Sequence, residues 1–402
     1  MSRAIRRRQR ARDAVYTLKH MGADFIYDFR QMHTNLVREF SKPHIEVGAD
    51  ALINGSMEAF TGNTPDGWFY VGVNGTQSIV TTLPWDSEGT RAWRIEGDED
   101  YGGSVITQSI VDTPFKTYQI KGKLLVEQGV ARLRWVGWTS WYVGLQQEYT
   151  PADGVVEFEF YASFPDNVTS QKALQIVNGG AGTPLTVVVD DFSLKPVTDD
   201  TDIHLNLGAL SYDEGRHTDR YYEFGLGNTG AHNWNKDGQL IIGDENTIFA
   251  ITRPGSTCYS IFTYWDASRS KKSYGIRFWP PTNDIGGIPS SDGSSHSQFY
   301  TGSYDPFSET APFVTMVEYN GAGGSEEIRV NNDIKAHSYT SGAHVATLYD
   351  DDTTPFCIGA LRAGSGSFIE RAAGKFYIVT IFNSVLTEGQ KEIANALMQL
   401  RR

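Results

Sequence analysis

Cysteine is nearly absent: the 402 residues contain two, Cys258 and Cys357. Two thiols build neither a disulfide framework nor a zinc site. Each sits in an apolar, strand-like run and reads as a buried thiol, with a single bridge between two strands as the alternative. No run reaches the ~18 consecutive apolar residues of a membrane helix, so no span is expected. No apolar core of about 7–15 residues follows the N-terminal arginines, so a secretory leader is not expected and the chain reads as made in the cytoplasm. Catalytic signatures are missing as well. There is no Gly-x-Ser-x-Gly, no His-Glu-x-x-His and no Walker loop. The glycosidase pattern E-x-D-x-x-E is approached only at Glu96-Gly97-Asp98, where Tyr101 replaces the second glutamate. His204, His217, His232, His296, His337 and His344 show no ligand spacing. An enzyme is therefore not expected.

Glycine is abundant, at 41 residues, with 40% hydrophobic and 21% charged residues. That balance points to turn-rich β structure. Strand-like pulses fall at 78–82, 90–95, 117–125, 131–136, 155–162 and 172–177, separated by Gly, Pro, Asn and Asp turns. Further pulses follow at 247–254, 259–265, 274–279 and 313–319, and Gly321–Gly324 marks a hairpin returning through Glu327–Val330. Ser290 to Gln298 reads as a mobile surface loop. Asp350-Asp351-Asp352 reads as a solvated turn, with cation binding as the alternative.

The last stretch is the most informative. Phe376 to Phe382 is aromatic and β-branched on both alternating faces, which suits a strand covered on both sides. Thr387-Glu388-Gly389-Gln390 is a capping box. Ile393, Ala396, Leu397 and Leu400 then recur at helical spacing as an expected buried stripe.

Charge is unevenly spread. The total is −13, yet residues 1–46 carry ten Lys/Arg against five Asp/Glu, leaving −18 for 47–402. Arg3, Arg6, Arg7, Arg8, Arg10 and Arg12 precede the first acid, Asp13. This is either an arm that docks on an acidic surface or a solvated terminus. No aromatic residues interleave with the arginines, so nucleic acid is not the expected partner. Ala11 to Met21 reads as helical, ended by Gly22.

Three resemblances add to this reading. "IVTIFNSVLTEGQ" (Ile378 to Gln390) resembles the end of concanavalin A-like (laminin-G-like) sandwich domains. "GADFIYDFRQMHTNLVREFSK" (Gly22 to Lys42) resembles an opening segment of phage virion proteins. Leu52 to Phe60, with Thr64-Pro65-Asp66-Gly67-Trp68, is similar to the opening of family 4/9-type carbohydrate-binding modules, and Val187 to Leu194 is similar to their close. Met57 stands where that family usually has Phe. This last resemblance implies that the opening and closing strands are neighbours. It also implies a structural calcium near Glu58 and either Asp190 or Asp191, capping of strand ends being the alternative.

The expected fold class is all-β: two tandem β-sandwich (jelly-roll) domains preceded by a short basic N-terminal arm with a helix. The expected divisions are an anchoring arm (1–46), a carbohydrate-binding-module-like jelly roll (47–196), an acidic linker (197–202) and a lectin-like sandwich (203–402). Flat rings stack on sugar faces. Trp68 and Tyr70 near the opening, and Trp138, Trp141 and Tyr142 in a Gly-flanked segment, are the candidate sugar-binding residues, whereas alternation puts Leu133 and Trp135 in the core. The expected function is that of a phage virion structural protein (auxiliary capsid, head-fibre or tail-associated). It would be held to other virion proteins by its arm, homo-oligomeric on the particle, and display lectin-like modules to host glycans. The alternatives are a bacterial polysaccharide-binding lectin or adhesin, and a glycan-active enzyme.

Overall fold

The structure is a computed structural model. It describes residues 13–33, 36–39, 47–71, 75–85, 89–97, 105–110, 117–137, 143–163, 172–180, 182–198, 205–207, 216–217, 222–224, 231–233, 242–255, 260–266, 271–279, 284–302, 304–349, 356–359, 361–363, 367–369 and 374–401. The chain divides into two compact units, Met1–His44 with Ile203–Arg402, and Ile45–Asp202. Both are built from antiparallel β-sheets, as the alternating and two-sided hydrophobic runs require.

The first unit centres on Gly374–Phe382, whose residues from Phe376 to Phe382 are all buried. Glu245–Pro254 pairs along one edge of this strand and Phe25–His33 along the other, with Phe25 opposite Ile381 and Asp28 opposite Ile378. Phe313–Asn320, Ser325–Val330 and Asp333–Lys335 extend the sheet. A second set runs from Phe356–Ile358 through Ser260–Asp266, Lys271–Trp279, Asp284–Gly287 and Gln298–Tyr300 to Ser338–Ser341. Tyr27, Phe29, Val317, Phe376 and Val379 meet Phe262, Ile276, Phe299 and Phe356 in one core. The other face of the central sheet is covered by two helices. Ile26, Phe249, Met316 and Ile378 pack there with Val15, Leu18, Ala394 and Met398. The two-sided covering expected of the closing strand is thus present.

Residues 1–46 are not a separate arm over the part that is described. Residues 13–20 are helical. The helix ends as a Schellman turn, with Gly22 at φ +95, the Gly22 N–H on Lys19 O (3.0 Å) and the Ala23 N–H on Leu18 O (3.2 Å). The Asp24 carboxylate then accepts the Asn383 N–H at 2.6 Å. The division at residue 46 fails because Phe25, Tyr27 and Phe29 alternate into the inter-sheet core and their strand pairs along one edge of Gly374–Phe382. Arg3, Arg6, Arg7, Arg8, Arg10 and Arg12 lie outside the described residues.

The C-terminal helix Glu388–Arg401 opens as expected, with Thr387 N–H on Gln390 Oε1 (2.9 Å) and Gln390 N–H on Thr387 Oγ1 (3.4 Å). Its buried stripe is different. Lys391, Ala394 and Met398 face inward, while Ile393 and Leu400 are exposed. Polar anchors set this phase. Lys391 Nζ meets the buried Glu318 at 2.7 Å, and Arg329 grips Glu388 through two nitrogens.

The second unit is a jelly-roll sandwich of two five-stranded sheets. One has the order Val143–Tyr149, Ala131–Gly137, Lys172–Asn178, Val105–Ile110, Phe69–Val71. The other has the order Val155–Ser163, Thr117–Gln128, Thr186–Pro196, Ala92–Glu96, Thr76–Val80. Its ends are neighbours. Val47 bridges Val197, the Ala51 N–H reaches Leu194 O at 2.8 Å, and the Phe192 N–H reaches Gly55 O at 2.8 Å. Gly55 is obligatory at this crossing, since a Cβ there would lie 1.9 Å from Phe192 O. Val197 therefore belongs to the sandwich rather than to a linker, and 199–202 lie outside the described residues. In the first unit, Leu36–Glu39 pairs with Leu205–Leu207, so the chain leaves and rejoins that unit through adjacent strands. The second unit is an insertion, not a tandem neighbour.

If Phe25–His33 is a core strand, Tyr27→Ala or Phe29→Ala destabilises the first unit by about 3–5 kcal/mol. Urea denaturation followed by amide resonances of the Gly374–Phe382 strand measures this, and a change under about 1 kcal/mol would return the segment to the role of a free arm.

Candidate functional site

In the first five-stranded sheet of the inserted unit, alternate positions of the two strands Ala131–Gly137 and Lys172–Asn178 point into the core. Leu133, Trp135, Leu174 and Ile176 are buried, and Trp135 packs on Tyr118 at 5.9 Å between ring centres. The assignment of Leu133 and Trp135 to the core holds. The intervening positions form rows across the sheet. Register places Gln146 opposite Arg134, Arg134 opposite Gln175, Gln175 opposite Thr107, and Thr107 opposite Phe69. The next row runs from Glu148 through Arg132 and Val177 to Val105 and Val71, with Arg132 Nε on Glu148 Oε1 at 2.7 Å.

Arg134 and Gln175 are half-buried, while Phe69 keeps 60% of its surface exposed at the edge. The Gln175 amide and the Arg134 guanidinium, in register with the exposed Phe69 ring, offer donors and an acceptor for hydroxyls and an apolar face for C–H groups. Residues 138–142 join two adjacent strands of this sheet, Ala131–Gly137 and Val143–Tyr149.

Sequence reasoning placed the candidate rings only in part. Trp68 is 3% exposed and sits against Trp93 (6.4 Å) and Phe192 (5.6 Å), with its Nε1–H on Asn54 O at 3.3 Å. It is core, not platform, because the turn at Asn54–Met57 tucks it under the closing strand. Tyr70 points inward in register with Ile106 and Ile176, its hydroxyl lying over Gly75, where a Cβ would clash at 1.5 Å. The exposed ring is Phe69, one residue away. Trp138, Trp141 and Tyr142 lie outside the described residues. Gln175 and Arg134 escaped notice because polar residues in alternating strands read as ordinary solvent-facing positions. Only the register aligns them.

The acids implied as calcium ligands separate into two groups. Glu58 accepts from the Thr90 N–H (2.7 Å), the Thr90 hydroxyl (3.0 Å) and the Arg91 N–H (3.0 Å). Against a desolvation that raises it, these donors hold Glu58 below the usual carboxylate range. Asp190 is fully buried, with Oδ1 on the Asp191 N–H (2.8 Å) and Oδ2 on the Trp85 indole N–H (3.3 Å). Desolvation, with the negative charges of Asp191 and Glu58, pushes its carboxyl up to about 6. Asp191, at φ +52, turns away to Lys123 Nζ at 3.0 Å. Glu58 and Asp190 thus each accept from protein N–H or O–H donors, as carboxylates that cap backbone amides do, while Asp191 is paired with a lysine. Among the described residues no three His, Cys, Asp or Glu side chains converge as metal ligands.

Glu96, the start of the incomplete glycosidase pattern, is tied to Thr76 Oγ1 at 2.8 Å and to Arg94. Cys357 is buried in Phe356–Ile358, whereas Cys258 lies outside the described residues, as do Asp350, Asp351 and Asp352. No helix among the described residues is long and apolar enough to cross a membrane.

No protein-family profile matches the chain, and no curated protein matches it by sequence. Solved structures resemble parts of it. A CBM4 structure is 21% identical over 36% of this chain and 99% of that chain, with a TM-score of 0.27. TmCBM61 in complex with beta-1,4-galactotriose is 20% identical over 37% of this chain and 98% of that chain, with a TM-score of 0.28. The enzymatically active domain of bacteriophage CBA120 tailspike protein 4 is 12% identical over 37% of this chain, with a TM-score of 0.29. This chain spans 21% of that tailspike chain. Likeness at this level transfers neither ligand nor activity.

The raised carboxyl of Asp190 sets a pH dependence. Protonation is favoured in the folded state, so stability falls as pH rises from about 4 to about 6, by on the order of 3 kcal/mol. Urea titrations of the inserted unit across that window should show this slope, and Asp190→Asn should lack it.

Proposed function

We propose that the inserted unit binds a glycan across the row of its first five-stranded sheet that carries Arg134, Gln175 and Phe69. The observation that supports this is the in-register row Gln146, Arg134, Gln175, Thr107 and Phe69. A sugar ring carries hydroxyls on its rim and C–H groups on its face. The row meets the first with amide and guanidinium groups and the second with an exposed phenyl ring. Lectin-like recognition of this kind involves no bond breaking: the sandwich holds the strands rigid, so little ordering of the site is required on binding. Affinity per site is modest, and several copies on one particle would raise it through effective concentration.

The finer reading is a virion role. The unit would be displayed on a phage particle, auxiliary capsid, head-fibre or tail-associated, in several copies. Residues 1–12, with Arg3, Arg6, Arg7, Arg8, Arg10 and Arg12, would dock on acidic surfaces of other virion proteins. What supports it is the resemblance of Gly22 to Lys42 to virion proteins, together with the concentration of positive charge ahead of an acidic body. Because the segment from residue 13 onward is integral to the first unit, the test is removal of 1–12 alone. The truncated chain should fold normally and fail to join particles, and unimpaired incorporation defeats the reading.

Calcium completes the proposal. A hard cation held by Glu58 and Asp190 would neutralise the buried carboxylate.

Two measurements check these readings. A glycan array followed by calorimetry should show binding that Phe69→Ala or Gln175→Ala weakens by about tenfold, ~1.4 kcal/mol, without lowering the melting temperature. Binding that ignores both substitutions rules out this face. Calcium should raise the melting temperature of the wild-type chain by several degrees relative to EDTA, roughly 2–4 °C per kcal/mol, and should leave Asp190→Asn unmoved. Equal melting with and without calcium removes the metal.

A further inference from the structure

We infer that loop 342–349 of the first unit is held by a proton-dependent clasp. In it the His344 imidazolium bridges the Glu326 carboxylate and the Gly321 carbonyl, and the loop loosens when the proton leaves.

The geometry carries this. His344 Nδ1 faces Glu326 Oε1, and Nε2 lies 2.8 Å from Gly321 O. Both partners are acceptors. A neutral imidazole has one N–H and one lone pair, so either tautomer would aim a lone pair at an oxygen. Only the cation donates to both. The ring also lies flat on Tyr319, at 5.2 Å and 18°, where a π-face favours positive charge.

Glu326 is fixed independently. Its side chain is 7% exposed, it accepts from the Tyr339 hydroxyl, and His337 Nε2 lies 3.8 Å from its second oxygen. Although desolvation alone would raise it, hydrogen bonds from His337, Tyr339 and His344 hold the carboxyl down to about 2, so it stays ionised. For His344, burial opposes the charge, but the bonds to Glu326 and Gly321 prevail and raise its pKa above the ordinary value. His337 is raised chiefly by its bond to Glu326.

The other ionisable groups around the cluster are Glu327 beside Glu326, Glu318 and Tyr319 on Phe313–Asn320, Tyr274 on Lys271–Trp279, Lys335 on the adjoining hairpin, and Asp244. Only the two histidines ordinarily titrate between about pH 5 and 8.

The clasp controls more than one side chain. Around it the Val345 N–H donates to Tyr319 Oη (3.0 Å), the Ala343 N–H to Ser297 Oγ (3.1 Å) and the Leu348 N–H to Asp244 (2.5 Å). The Tyr349 N–H reaches Ser290 O at 2.7 Å. Loop 342–349 is thereby stitched to loop 290–297, which is a hydrogen-bonded turn with Ser290 buried. A histidine raised above its unfolded value contributes fully below about pH 6.5, and that contribution is lost as pH rises through the folded value. The loops are therefore closed in acid and loosen above neutrality.

Hydrogen exchange on the full chain tests this, with rates divided by their intrinsic values at about pH 5.5 and about pH 8. Protection of the Ala343, Val345 and Leu348 amides should drop about tenfold or more at the higher pH in the wild type. It should not change with pH in His344→Gln. Protection that is flat in the wild type overturns the clasp. So does a pH response that survives His344→Gln and disappears in His337→Gln. Should the variant fold poorly, the wild-type His344 ring followed by NMR decides. Its midpoint should lie above 6.5 and coincide with the shift of the Val345 amide, and a midpoint below 6.5 refutes the assignment.

Discussion

The structure depends on one strand that has no exposed side. Gly374–Phe382 is flanked by strands on both edges and covered on both faces, by the opposite sheet and by two helices. Each backbone group on it must find a protein partner, because water cannot reach it. Its edge partner Phe25–His33 comes from the other end of the chain, across some 350 residues. Local pairing cannot close this sheet, so the first unit completes itself only once its final strand is available.

Three buried carboxylates show how the protein handles charge away from water. Glu318 is paired with Lys391 and bonded by Thr247 and the Leu386 N–H. Glu326 is surrounded by two histidines and a tyrosine. Asp190 has only an indole and an amide, beside two other acids, and its carboxyl is the one pushed upward. The same chemical group is thus an anchor, a sensor or a strained charge, according to its donors.

Much of the fold was legible in the sequence because its signals are local. The capping box at Thr387 and Gln390, the terminating Gly22 and the strands Thr117–Gln128 and Ala131–Gly137 each follow from a few adjacent residues. The brackets at Leu52–Phe60 and Val187–Leu194 do meet, across Gly55 and Phe192. What escaped was non-local. The strand Phe25–His33 looks like an exposed segment until its partner 350 residues away is known. The helical stripe of Glu388–Arg401 slipped by one position because Lys391, polar by composition, is the buried residue. The polar row on the inserted sheet exists only through the register of five strands, and Trp68 was misplaced because its burial depends on the closing strand.

Leu36–Glu39 pairs with Leu205–Leu207 in the first unit and Val47 bridges Val197 in the second, so the inserted unit is joined to the first by two covalent connections. A protease that severs either connection leaves the unit attached through the other, and the cut ends remain zipped by the ladder beside them. Release of the inserted unit would require two separate cleavages, whereas a unit on a single linker is freed by one.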